Sequence, residues 1–182
     1  MKKSDSVQQC WPWELTAFVL VAVIGFEVTT LLSFGYAPSG EESLARIVPA
    51  ELVFLANGDR ERYGAAPLIE NPLLARAAEL AANDMAARGY FSHASPEGEP
   101  PWRWLEQVGY RYAVAGQNLA INFNDSKDVE DAWMNSPPHS ANILDNGFTE
   151  TGSGVASGTY RGREMTFVVQ FFARPLPPKE TN

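Results

Sequence analysis

Cysteine is almost missing from this 182-residue chain. The one thiol, Cys10, precedes a long apolar run, so no disulfide can staple whatever folds beyond it. Cohesion there has to come from packing, which 45% apolar residues can supply in a chain long enough for one ordinary domain. Cations are scarce too: 14 Lys and Arg against 22 Asp and Glu leave a formal charge of -8. A phosphate backbone would meet no basic face, so nucleic acid is not an expected partner. Internal repeats and low-complexity tracts are absent, which excludes solenoids and linker-like chains. Histidine is limited to His93 and His139, so imidazole chemistry has only those two places to occur.

What is abundant comes first at the N-terminal end. Leu15 to Phe26 carries no charge, and Val28 to Tyr36 continues the apolar run past Glu27. At about 1.5 Å per helical residue this stretch reaches across a hydrocarbon core, although the mid-span carboxylate costs about 2 to 3 kcal/mol. Lys2 and Lys3 precede the run while Glu41 and Glu42 follow it, an asymmetry that leaves the C-terminal part outside the membrane. The alternative, a cleaved secretory signal, would have to be cut between Ala37 and Pro38, a poor context. The expected layout is a short cytoplasmic tail at 1–14, a transmembrane anchor at 15–36, a linker at 37–43, one extracytoplasmic domain at 44–176 and a disordered tail at 177–182.

Within the domain, Ser43 to Tyr63 predicts a helix interrupted or started near Pro49. Asn71-Pro72 supplies a cap and a first-turn proline for an alanine-rich helix over 72–88, which Gly89 stops. Shorter helices are predicted at 101–108 and at 126–135, the latter capped by Ser126, and Ser136-Pro137-Pro138-His139 reads as a cap followed by a first turn. The period then changes to two. Gly152 to Gly158 and Met165 to Ala173 read as a hairpin with Gly158 to Gly162 between them, and a further strand fits Ala115 to Phe123. Helices first and strands late predict an α+β layered domain.

The histidines stand 46 positions apart, in Phe91-Ser92-His93-Ala94-Ser95-Pro96-Glu97-Gly98 and in Trp133-Met134-Asn135-Ser136-Pro137-Pro138-His139-Ser140-Ala141-Asn142-Ile143-Leu144. Spacing alone leaves two readings open, a shared site or two loop-bracing rings. Taken with Ala115-Gly116-Gln117-Asn118-Leu119-Ala120 and Phe148-Thr149-Glu150-Thr151-Gly152-Ser153-Gly154, these segments resemble, in order and spacing, the signature of prokaryotic domains of the CAP superfamily (cysteine-rich secretory, antigen 5, pathogenesis-related 1; SCP-like). The resemblance runs from about Ile47 to Ala173. It implies an α-β-α sandwich with a central antiparallel sheet, and a surface cleft where His93, residue 117 and His139 meet.

Where the family usually has glutamate, this chain has Gln117. An amide keeps the shape and one acceptor oxygen but cannot serve as a general base and is a poor zinc ligand. The late strand, Thr166 to Phe171, also lacks the histidine that distant members carry. The expectation is therefore a membrane-anchored binding module rather than an enzyme. It would take a small apolar, lipid-like, glycan or peptide ligand at His93, Gln117, His139, Glu97 and Asn118. The alternatives are a metal-assisted, peptidase-like hydrolase with His93 and His139 as catalytic or weak zinc-holding residues, and a structural envelope module. Tyr90, Phe91, Trp102, Trp104, Tyr110 and Tyr112 are expected in the core before a ligand wall, as is Trp133.

Overall fold

A computed structural model describes residues 47–177. The anticipated anchor at 15–36, its linker and most of the expected tail lie outside the described residues. No helix among the described residues is long and apolar enough to cross a membrane. The chain order is α1 (Pro49–Arg62), β1 (Ile69–Glu70), α2 (Pro72–Arg88), α3 (Arg103–Gln107), β2 (Tyr112–Ile121), α4 (Ser126–Met134), α5 (Pro137–Leu144), β3 (Glu150–Tyr160) and β4 (Arg163–Pro175).

The four strands form one sheet in the order β1-β3-β4-β2. The interior strand β4 is apolar at both parities because both of its faces are covered, so its sequence reads as a run and not an alternation. Phe167, Val169, Phe171 and Ala173 enter one cluster with Leu74, Ala78 and Leu105 of α2 and α3. Val168 and Phe172 enter a second with Leu52 of α1, Val129 and Trp133 of α4 and Ile143 of α5. Two helical layers on a central sheet give the expected sandwich.

Helix α2 forms as its sequence directs. The Asn71 side chain accepts from the Leu73 amide at 2.8 Å, Pro72 sits in the first turn, and Gly89 ends the helix in the left-handed region at φ 66°. Its alanine face lies directly on β3 along Gly152, Gly154, Ala156 and Gly158. A Cβ on Gly154 would stand 2.2 Å from the Glu79 backbone nitrogen, and one on Gly152 would stand 2.1 Å from that of Ala75.

The sheet is not wholly antiparallel. β1 pairs parallel with the start of β3, Ile69 opposite Glu150 and Glu70 opposite Thr151. A two-residue strand has no period to read, and tertiary bonds hold it: the Ile69 amide donates to Thr149 and the Asn71 amide to Thr151. The hairpin also differs from expectation. β3 runs on to Tyr160, so the turn is only Arg161-Gly162, both at positive φ as a two-residue hairpin demands. At α4 the cap is Asp125, whose carboxylate accepts from the Asp128 amide. Ser126 is buried within the first turn, and its hydroxyl instead takes the Val48 amide.

Candidate functional site

β2 is an edge strand, and consecutive residues on it point to opposite faces. Gln117, opposite Phe171, shares the face of Leu119 and the α2–α3 cluster, whereas Asn118, opposite Gln170, shares the face of Ala120 and the α5 side. Each holds one histidine-bearing segment. The Gln117 Oε1 lies 2.8 Å from His93 Nδ1, the ring arriving on the loop between α2 and α3. Asn118 donates through Nδ2 to the His139 carbonyl at 3.1 Å, the segment arriving on the first turn of α5. The pleat of one strand thus brings the two histidines to the same sheet edge from two layers.

A third amide ties these together. Asn142 Nδ2 donates to Asn118 Oδ1 at 2.8 Å and approaches the Gln117 carbonyl at 3.4 Å. Its approach requires Gly116, because a Cβ there would stand 2.9 Å from both Asn142 Oδ1 and Phe148 Cζ. Neither residue is singled out by the sequence reading. The signal was present: Asn142 follows His139 by three positions in a helix, hence on the same face.

Gln117 and Asn118 are buried, His139 is half-buried and His93 is exposed. Since Oε1 only accepts, His93 donates from Nδ1 and keeps Nε2 as an acceptor in its neutral form. The His139 imidazole is held below the usual histidine range, first by burial and then by the neighbouring His93. Burial is the larger of the two causes. Ser136 occupies the cap position without a side-chain cap bond; its carbonyl takes the His139 and Ser140 amides.

Glu97 does not join the cluster. It is exposed, and Arg88 binds it, holding its carboxyl below the usual range. The loop turns back on α2 because Ser95 Oγ accepts the Glu97 and Glu99 amides, both at 3.2 Å, which carries Glu97 toward that helix's C-terminal arginine. Among the described residues no three His, Cys, Asp or Glu side chains are grouped to hold a metal ion. Two imidazoles and an amide do not fit a resident zinc ion. The aromatics pack inward. Tyr90, Phe91, Trp102, Trp104 and Tyr112 lie half-buried against the α2 cluster, and Tyr110 is buried with its hydroxyl 2.6 Å from Glu150. Trp133 is buried and donates to the Leu119 carbonyl at 3.0 Å, bracing β2 from beneath.

Comparison with known proteins adds three findings. A family model described as the cysteine-rich secretory protein family (CAP) matches residues 53–172. Two Bacillus subtilis proteins are similar: the uncharacterized protein YkwD, 36% identical over 60% of this chain and 43% of its own length, and the uncharacterized membrane protein YlbC, 30% identical over 58% and 30%. The crystal structure of an extracellular protein containing an SCP domain from Bacillus anthracis superposes with a TM-score of 0.58 at 28% identity, covering 69% of this chain and 40% of that one. This chain therefore spans less than half the length of each of these relatives.

Proposed function

The chain belongs to the cysteine-rich secretory protein (CAP) family, and from that premise we propose that its domain is a non-catalytic module, displayed outside the membrane, that binds a small polar ligand at the edge of β2. One observation carries the reading: the acceptor facing His93 is the Gln117 amide at 2.8 Å, where the family pattern leads one to expect a carboxylate. An amide aligns a ring and a ligand without taking up a proton, so the site can recognise but lacks the carboxylate that would partner its imidazoles in hydrolysis. The recognition groups are the two imidazoles, backed by Asn118 and Asn142. Because the surrounding aromatics pack on the core, a glycan or peptide with its own donors and acceptors suits the site better than a lipid.

The apolar run at 15–36 would tether the module, with Lys2 and Lys3 on the inner side. In support, one similar protein is described as extracellular and another as a membrane protein. Protease added to intact cells should remove the domain while leaving an N-terminal fragment in the membrane fraction; a soluble cytoplasmic pool would refute this placement.

The metal-assisted hydrolase reading is set against the binding module by Gln117→Glu. A carboxylate restored beside two imidazoles should raise zinc affinity at least tenfold by calorimetry while the native chain binds zinc no better than its His93→Ala variant. Native zinc binding that depends on His93, together with peptide hydrolysis, would reject the binding-module reading.

A further inference from the structure

On a different face, between α1 and α4, Glu130 is 1% exposed and neither of its carboxylate oxygens has a hydrogen-bond partner among the described residues. An unpaired buried carboxylate is expensive, and a buried polar group without a partner commonly marks a place where something else is received. Glu130 lines a cavity of about 230 Å³ together with Asp59 and Asp131. Two basic side chains stand at the same cavity, yet each is already engaged by one of the other two acids: Arg62 binds Asp59 at 2.6 Å, and Lys127 binds Asp131. Both bases are well exposed, so they sit at its mouth. Phe54 also lines the cavity and is 75% exposed, offering a ring face at the rim, with Leu55 on the wall.

We propose that this cavity is a binding site for a small alkylammonium ion, with Glu130 as its buried counter-ion and Phe54 as a cation–π rim. The chemistry selects the class. A divalent metal is unsuited, because no three acidic side chains among the described residues are grouped to coordinate one. A volume of this size holds several heavy atoms, and a carboxylate flanked by an aromatic ring and apolar wall matches an ammonium group on a short aliphatic stem. Binding has a required partner reaction. In the free protein, burial first, then Asp59 and Asp131, push the Glu130 carboxyl up to about 8, so it is protonated at neutral pH. The arriving cation favours the carboxylate, and the displaced proton passes to the buffer.

Titration of the full chain with n-butylammonium, by calorimetry in buffers of different ionisation enthalpy, tests this. The expected result is saturable binding with release of about one proton at pH 7, and an affinity that rises about tenfold per pH unit from 6 to 8 and then levels. Glu130→Gln should weaken binding at least tenfold, and n-butanol, of the same shape without charge, should not compete. Nα-acetyl-lysine amide run alongside distinguishes a partner's lysine from a free amine by which binds more tightly. Equal binding by the native and Glu130→Gln chains, equal competition by n-butanol, or no binding at any pH up to 9 would overturn the proposal. So would a Glu130 carboxyl that titrates in the ordinary carboxylate range by ¹³C NMR in the free chain, because Arg62 or Lys127 would then already occupy the place. The proton release and pH profile are read on the native chain, so the test survives even if the glutamine variant misfolds.

Discussion

At position 117 a single amide decides what the paired histidines can do. His93 receives an acceptor that orients it and holds no negative charge, and His139 is left to burial and to its neighbour, which together favour the neutral ring. The pH dependence follows. The unfolded chain takes up a proton at His139 near the ordinary histidine value, about 6.5, whereas the folded chain resists it; above that pH both states are neutral. The His139 contribution to stability should therefore be constant above about pH 6.5 and fall as pH drops below it. In a Glu130→Leu background, which removes the opposing carboxyl titration, urea midpoints measured at pH 7.5 and pH 5 should differ less with His139→Gln than without it, and an NMR titration of the His139 ring should place its midpoint below that of a free histidine.

Elements meet here at unusually close range. α2 lies on β3 by its backbone, with alanines on the helix and Gly152, Gly154 and Gly158 on the strand. A methyl group at Gly154 would need the helix to move, since the obstructing atoms are main chain. Gly154→Ala should cost about 3 kcal/mol in chemical denaturation, at the upper end for overpacking, whereas alanine at Gly58, which meets nothing within 4 Å, should cost far less. A second junction rests on Arg60, fully buried in α1. Its guanidinium donates to the Ile143 and Asp145 carbonyls at 2.7 and 2.9 Å, closing the end of α5, and its Nε donates to Ala66 at 2.5 Å. Nothing in the sequence distinguishes this arginine from a solvated one, because its three acceptors are main-chain carbonyls supplied by folding.

For the molecule as a whole, the near absence of cysteine leaves two apolar clusters on either side of one sheet to hold the domain together. Against that background Glu130 is a liability in the free protein. Its folded carboxyl sits near 8 and its unfolded one near 4.5, so the folded state retains a proton that the unfolded state gives up between those values. The Glu130 contribution to stability should decline as pH rises through that window and level off above it, opposing and exceeding that of His139. Glu130→Leu should remove the decline and stabilise the protein at pH 7 by on the order of 3 kcal/mol, read from urea denaturation at pH 5, 7 and 9.

Helix α2, the late hairpin and the buried Trp133 could all be read from the chain, because caps, glycine stops and hydrophobic periods act over a few residues. The family could be read as well, since its motifs are contiguous. Folding alone decided the parallel pairing of β1, the transfer of capping from Ser126 to Asp125, and the withdrawal of Glu97 to Arg88. It alone brought Asn142 across Gly116 and left the Glu130 carboxylate without a hydrogen-bond partner among the described residues. These depend on which main-chain and side-chain groups arrive from distant positions, and strand register, not local sequence, sets that arrival.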